Sequence, residues 1–197
     1  YSKDRTVMMN ERLNEIWNNY KLGYSQVWGQ LTSTYRETGS PKTKEEFRSR
    51  YVEKYGTEKI RKVSERLASL SNYSVEECEK YVDKKVFEDT VNGFKKELQA
   101  IEIVQSLGFI TLEPLPSDDL ECAIDFFVFK DSELLCTVQV KPISFFLGTS
   151  DSLVRDRAKT LKKFEKGYKI YGVPTYFMVY DGDNFMKFNG KYLVCLK

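Results

Sequence analysis

Apolar residues recur at helical spacing through roughly the first eighty residues. In the opening stretch they fall three or four positions apart, at Val7, Met8, Leu13, Ile16, Trp17 and Tyr20. This is the period of an amphipathic helix. A second helix is predicted over residues 27–35, and residues 38–41 are a break rich in turn formers. Residues 1–82 are therefore predicted to form a helical N-terminal region.

Capping patterns mark where several of these helices begin. In a capping box, a Ser or Thr is followed three positions later by Glu. Thr43 with Glu46 and Ser74 with Glu77 have this spacing. Thr57 is predicted to cap the helix between them.

The next helix is predicted from Lys84 to Leu107, with an apolar stripe along one side. The stripe consists of Phe87, Val91, Phe94, Leu98, Ile101 and Val104. At about 100° per residue, Glu97 falls inside this arc, whereas Glu88 and Glu102 fall outside it. A glutamate is unusual on such a face, so Glu97 is a candidate functional residue.

Strand patterns begin after this helix. A first strand starts at residues 109–112, and residues 113–121, rich in Pro and Asp, are predicted to be a loop. Residues 124–129 and 134–141 are two apolar strands joined by a tight turn. The order of the elements predicts an α/β (α+β) fold.

Three polar side chains interrupt the two central strands: Asp125, Gln139 and Lys141. Side chains alternate faces along a strand, so Gln139 and Lys141 share one face. A buried Asp or Lys is costly unless it is paired or binds a metal. These residues therefore form either a buried salt bridge or a metal-dependent site.

A strongly basic helix is predicted over residues 150–168, after an aromatic-rich connection. Leu153, Val154, Leu161 and Phe164 are predicted to face inward. The polar face carries Arg155, Arg157, Lys159, Lys162, Lys163 and Lys166. Such a face either keeps the surface solvated or contacts phosphates, and both interpretations stay open.

The C-terminal stretch predicts three short strands. They lie over residues 175–180, 185–188 and 191–196. The intervening turns fall at residues 181–184 and at Asn189-Gly190, a strong hairpin signal.

Composition narrows the possible chemistry. The net charge is only +2, from 31 basic and 29 acidic residues, so global charge does not announce a nucleic-acid partner. The chain contains no histidine, which excludes Ser-His-Asp and Cys-His hydrolases and histidine metal sites. Hydrolysis would therefore rest on carboxylates, lysine and a hard metal ion.

The cysteines and the apolar runs bear on the compartment. Cys78, Cys122, Cys136 and Cys195 lack metal or redox spacing and are interpreted as small buried residues in a reducing compartment. No signal peptide or membrane-spanning run is found. The simplest expectation is a cytoplasmic protein with no membrane partner.

The element order resembles the PD-(D/E)XK nuclease superfamily, the fold of many type II restriction endonucleases and Holliday-junction resolvases. That core has an acid on its first helix, an Asp at the start of the second strand, and (D/E)-x-K on the third. Glu97, Asp125 and Gln139-Val140-Lys141 match these positions. The resemblance covers residues 84 to about 180 and implies a restriction-endonuclease-like core, with a mixed central sheet flanked by helices. Here Gln139 replaces the usual acid, which leaves fewer negative charges.

Two short segments resemble MjaI-type restriction enzymes. They are Thr-Val-Asn-Gly at residues 90–93 and Val-Lys-Pro-Ile-Ser-Phe at residues 140–145.

These resemblances imply a Mg²⁺-dependent endonuclease that cuts double-stranded DNA at a short specific sequence. Asp125, the Gln139 carbonyl, the Val140 backbone carbonyl and Glu97 would hold Mg²⁺, and Lys141 would orient the attacking water. Cutting both strands favours a homodimer. Residues 83–197 would be the catalytic core, and residues 1–82 would serve DNA recognition or dimerisation.

Two alternatives stay open at this point. One is a DNA repair or Holliday-junction-resolvase-like nuclease. The other is a non-catalytic DNA-binding module with a degenerate nuclease core, which Gln139 favours.

Overall fold

A computed structural model of the chain describes residues 2–186, with side chains described from residue 4 onward. The chain divides into two compact units, Tyr1–Phe94 and Lys95–Lys197. The predicted turn at residues 189–190, the strand at residues 191–196 and Cys195 lie outside the described residues. Within the described part, no helix is long and apolar enough to cross a membrane.

The first unit is built from helices, as the sequence predicts. Its elements are α1 (Ser2–Asn19), α2 (Ser25–Trp28), α3 (Leu31–Glu37), α4 (Lys44–Tyr55), α5 (Glu58–Leu70), α6 (Val75–Asp83), a π-helical turn (Lys84–Glu88) and the start of α7 (Asp89–Ser106). The single helix predicted over residues 27–35 is wrong. It is divided at Gly29, whose φ of 77° lies in the left-handed region that favours glycine.

The three predicted caps form to different extents. The capping box at α6 is complete: Glu77 N donates to Ser74 Oγ at 3.2 Å, and Ser74 N donates to Glu77 Oε2 at 2.9 Å. At α4, Thr43 accepts from the amide of Glu46, but the Glu46 carboxylate accepts from the Lys42 amide instead. Thr57 precedes α5 without a side-chain cap bond.

Aromatic side chains fill the core of the first unit. Phe87 packs edge-to-face on Phe47 and Tyr51, with ring centroids 5.5 Å and 5.4 Å apart. Two polar groups of aromatic side chains in this core form hydrogen bonds. The Trp28 indole donates to the Leu22 carbonyl at 2.6 Å, and the Tyr51 hydroxyl donates to the Trp28 carbonyl at 3.0 Å. This cluster therefore adds dispersion contacts without leaving these polar groups unsatisfied.

Phe87→Ala is expected to lower the free energy of unfolding by about 3–5 kcal/mol, because it removes a fully buried ring from between two others. Urea denaturation followed by tryptophan fluorescence measures the change. Met8→Ala, at an exposed position of α1, is the matched control and should change stability by less than about 0.5 kcal/mol. Equal effects of the two substitutions would contradict this description of the core.

The predicted helix over residues 84–107 needs two corrections. It begins with the π-helical turn, and its apolar stripe does not face a single core. Val91 packs into the core of the first unit, whereas Ala100 and Val104 pack into that of the second. Leu98, predicted to be inward, is 56% exposed. The physical reason is that a heptad-spaced stripe drifts around a 3.6-residue helix, so α7 uses two different faces.

The second unit contains a mixed sheet, which confirms the predicted α/β class. In the described residues its five strands have the order β1 to β5: β1 (Ile110–Leu112), β2 (Phe126–Lys130), β3 (Glu133–Pro142), β4 (Thr175–Asp181) and β5 (Asn184–Met186). Strands β3 and β4 are parallel, and the other pairs are antiparallel. Asp131 and Ser132 both have positive φ at the β2–β3 turn, as a tight two-residue hairpin requires.

Helices cover both faces of this sheet. Val138 and Val140 point to the face on which Ala100 and Val104 of α7 pack. The opposite face is covered by α8 (Pro116–Cys122), α9 (Ser144–Leu147) and α10 (Asp151–Tyr171). Phe177 of β4 shows which face Gln139 occupies. It is in register with Gln139 and contacts rings from both α9 and α10. Gln139 and Lys141 therefore share a face with α10 and not with α7.

The loop predicted over residues 113–121 is wrong, because most of it forms α8. Pro116 occupies the first turn, where its missing N–H costs nothing. The Asp118 carboxylate accepts from the Leu115 amide at 3.1 Å and also from the Tyr171 hydroxyl of α10. The aromatic connection after β3 likewise contains a helix, α9.

The inward face of α10 also differs from the prediction. Leu153 and Phe164 are partly buried, but Val154 and Leu161 are 49% and 54% exposed. At about 100° per residue, Leu153, Phe164 and Gly167 share one face of α10, and Val154 and Leu161 fall outside it. An added Cβ at Gly167 would lie 3.3 Å from the Cys122 Cβ, so this face approaches α8.

The cysteines that the structure describes are buried free thiols, as predicted. These are Cys78, Cys122 and Cys136.

Candidate active site

The centre of the site is the carboxylate of Asp125, immediately before β2. Its Oδ2 accepts hydrogen bonds from Gln139 Nε2 and from the Val140 amide, each at 2.6 Å. The Asp125 amide donates to the Val138 carbonyl at 2.8 Å, which continues the β2–β3 ladder by one residue. Asp125 and Gln139 are only 8% and 6% exposed. The structure thus brings together two of the three polar residues that interrupt the central strands.

Lys141 occupies the next position on the same face. It is partly buried, and its Nζ lies 5.2 Å from the centroid of the Phe145 ring. A cation at this distance from a ring is attracted to the ring face. The ammonium group is thereby held on the α9 and α10 side of the sheet, where Asp125 and Gln139 also lie.

Burial dominates the electrostatics of Asp125. Burial raises the pKa of this carboxyl to about 7. The hydrogen bond from the Val140 amide favours the charged form and lowers the pKa, but its effect is smaller. The negative charge of Asp119 raises the pKa further, and the positive charge of Lys141 lowers it. A carboxylate that is desolvated to this extent is stabilised by a nearby cation.

Glu97, the fourth predicted catalytic residue, lies on α7. Glu97 is partly buried on α7, whose Ala100 and Val104 cover the other face of the sheet. Among the residues that the structure describes, no three His, Cys, Asp or Glu side chains form a group able to hold a metal ion. Asp125 and Gln139 are therefore the side chains that the structure joins directly.

Sequence reasoning missed Asp119, the acid whose charge acts on Asp125. It lies on α8, in the segment interpreted as a loop. The available signal was Pro116 followed by two aspartates, which is the composition of a first helical turn.

The basic residues of α10 differ in exposure and in their hydrogen bonds. Arg155, Lys159 and Lys162 are exposed, and Lys163 is partly buried. Arg157 differs, because its guanidinium donates to the carbonyl oxygens of Phe145 and Gly148 at 2.8 Å and 2.7 Å. Arg157 therefore connects α9 to α10.

Arg157→Ala is expected to lower stability by about 1–3 kcal/mol, because it leaves two carbonyl groups without a charged donor. Arg155→Ala, two positions away and exposed, should change stability by less than about 0.5 kcal/mol. Thermal denaturation of both variants measures the difference. A Tm for Arg157→Ala equal to that of the wild type would contradict the structural role.

A family model matches most of this chain. It is described as MjaI restriction endonuclease and covers residues 10–162, more than three quarters of the chain. The chain belongs to the MjaI restriction endonuclease family.

The MjaI match extends the wider superfamily resemblance towards the N terminus. It begins in α1 and ends in α10, so it includes the helical unit as well as Asp125, Gln139 and Lys141. No curated protein and no solved structure matches the chain significantly. Membership in the MjaI family supports a site-specific DNA nuclease.

Proposed function

We propose that this member of the MjaI family is a Mg²⁺-dependent type II restriction endonuclease that hydrolyses both strands of duplex DNA at a short sequence. The observation that carries the proposal is the buried Asp125–Gln139 pair with Lys141 on the same sheet face. The family match supplies the DNA substrate class.

The donor set at Asp125 fits a hard divalent cation. Mg²⁺ prefers oxygen ligands in proteins and retains several waters. The Asp125 carboxylate would be the main ligand, because burial disfavours its charge until a cation compensates it. The Gln139 amide nitrogen binds Asp125, so the carbonyl oxygen is the atom that this side chain can offer. The Val140 backbone carbonyl and Glu97 are further proposed ligands.

Each residue then has a distinct task in phosphodiester hydrolysis. When bound, Mg²⁺ supplies Lewis-acid polarisation of the phosphate and acidifies water. Gln139 and the Val140 amide fix the orientation of the Asp125 carboxylate. Lys141 donates hydrogen bonds to the attacking water and to the phosphate oxygen on which negative charge develops.

DNA contacts outside the site are proposed for the basic face of α10. The proposed residues are Arg155, Arg157, Lys159, Lys162 and Lys163. Phosphate contacts from such residues give salt-dependent affinity. The helical region over residues 1–82 is proposed to serve sequence recognition or dimer contacts, and a homodimer would match a palindromic target.

Digestion of phage DNA with Mg²⁺ and with EDTA tests the function. Discrete fragments that appear only with Mg²⁺ are expected. A metal-dependent smear would indicate a nuclease without sequence specificity, and cleavage restricted to branched DNA would indicate a resolvase-like enzyme.

Gln139 favours one alternative, a DNA-binding protein without catalysis, because it is neutral where the superfamily carries an acid. That alternative predicts DNA binding with intact product under all metal conditions.

A further inference from the structure

A polar cleft lies in the first unit, apart from the candidate active site. It is bounded by α1, the end of α6 and the π-helical turn, and its volume is about 420 Å³. Ligand sites in proteins usually have volumes of about 300–1,000 Å³. The cleft is therefore large enough to hold a small planar group.

Charges of both signs line this cleft in equal number. Lys84 and Lys85 are positive, and Glu11 and Asp89 are negative. None of the four belongs to an ion pair in the described part of the chain, although ion pairs are frequent elsewhere in the first unit. A lining without net charge favours neither a phosphate nor a metal cation. It fits a neutral ligand that carries both hydrogen-bond donors and acceptors.

The π-helical turn contributes to this arrangement. In a regular α-helix, the residue seven positions after Tyr81 would share its face, and this residue is Glu88. The π-helical turn inserts one residue, so Asp89 takes this place and lines the cleft with Tyr81. Lys85 lies beside them, with its Nζ 5.9 Å from the centroid of the Tyr81 ring. Turns of this kind are frequent at functional sites.

Two asparagines of α1 supply amide groups to the cleft. Asn10 and Asn14 are one turn apart, and both are partly buried. The Tyr81 hydroxyl donates to Asn14 Oδ1 at 3.2 Å, and the Tyr81 ring packs edge-on against Trp17, with centroids 5.9 Å apart. These contacts fix the plane of the Asn14 amide. Within the described residues, its Nδ2 hydrogens and the second lone pair of Oδ1 are left for a ligand.

The edge of an adenine base matches these groups. In the major groove it presents the N7 acceptor beside the N6 donor, and an asparagine amide binds both at once. We propose that this cleft reads base edges of duplex DNA and that Asn14, oriented by Tyr81, binds an adenine. The inference rests on the proposed function, and it names a specificity-determining site within the helical region.

Selection from a pool of random-sequence duplexes tests this inference without cleavage. The full chain is incubated with the pool and Ca²⁺, and the bound duplexes are sequenced. The wild type should select a motif that contains an A·T pair, and Asn14→Ala should lose the preference at that pair alone. Asn14→Ala should bind the wild-type motif about tenfold more weakly or worse, and an unrelated duplex within about twofold of the wild-type affinity.

Two further variants make the test independent of a simple loss of function. Asn14→Asp should move the preference at this pair towards C·G, because a carboxylate accepts from cytosine N4. Tyr81→Phe removes only the hydroxyl and should weaken the preference at the same pair. The matched control is Asn18→Ala, an exposed asparagine one turn further along α1 and outside the cleft lining. It should select the wild-type motif. Thermal denaturation checks that each variant is folded.

An unchanged A·T preference in both Asn14 variants would overturn the inference. So would an equal loss of affinity for all duplexes, which would indicate phosphate contacts. In both cases the wild type still selects DNA, so the proposed function stands. A wild type that binds no duplex would remove both. Calorimetry with adenosine separates a base in DNA from a free nucleoside. If Asn14→Ala abolishes adenosine binding and leaves duplex selection unchanged, the assignment to DNA is wrong.

Discussion

Lys141→Ala is expected to reduce the rate of DNA cleavage by about a thousandfold or more, while Mn²⁺ binding and the fold persist. Lys141 lies on the site face, with its ammonium held near Phe145 and its charge acting on Asp125. Removing a donor aimed at developing charge typically costs a factor of about 10²–10³. Loss of the water-orienting role adds to this.

The matched control is Lys130→Ala, at the exposed end of β2. It removes a lysine from the same sheet, away from the candidate site, and should leave cleavage within about twofold of the wild-type rate. Single-turnover digestion at saturating enzyme measures both variants. If Lys141→Ala cleaves DNA at a rate within tenfold of the wild-type rate, Lys141 is not a catalytic residue.

Asp125→Asn is expected to abolish metal-dependent cleavage and, without metal, to stabilise the fold at pH 8. Burial raises the pKa of Asp125 to about 7, whereas an unfolded aspartate has a pKa of about 4. The folded wild type therefore loses stability as the pH rises from about 4 to about 7. Asparagine does not titrate in this range. Its advantage should be absent near pH 4 and reach about 1–3 kcal/mol above pH 7.

Thermal denaturation at pH 5 and pH 8, with and without Mg²⁺, measures this effect. Mg²⁺ should raise the Tm of the wild type at pH 8 more than at pH 5, because protons compete for the carboxylate at the lower pH. Asp125→Asn should show no such Mg²⁺ effect. The control Asp131→Asn, in the exposed β2–β3 turn, should behave as the wild type. A less stable Asp125→Asn at pH 8 would contradict the assigned electrostatics.

The β2–β3 hairpin was predictable because its signals are local. Alternation along a strand places Gln139 and Lys141 on one face. The turn pairs Lys130 with Glu133, but a β-bulge between Val128 and Phe129 shifts the register by one residue and so brings Asp125 opposite Gln139. The relation of Gln139 to Lys141 is therefore local, whereas the pairing of Asp125 with Gln139 depends on the bulge.

The surroundings of Glu97 depend on more than local signals. Its angle on α7 could be calculated from the sequence, but the sheet face that α7 covers depends on tertiary packing. The helix α8 was missed for a similar reason. Its seven residues carry a weak helical signal, and contacts of Asp118 and Cys122 with α10 stabilise it.

The exposed apolar positions of α10 likewise depend on tertiary packing, which the local sequence pattern does not determine. Periodicity gives the spacing of apolar positions, but which of them are buried depends on contacts with other elements, such as that of Gly167 with Cys122 of α8. The stripe on α7 likewise divides between two cores because one helix serves both units.

A crystal structure of the protein with cognate duplex DNA and Ca²⁺, which commonly replaces Mg²⁺ without supporting cleavage, tests the central claim most directly. The account predicts a cation bonded to the Asp125 carboxylate, with a DNA phosphate within hydrogen-bond distance of Lys141 Nζ. A cation bound elsewhere, or DNA whose phosphates all lie away from Asp125 and Lys141, would contradict it.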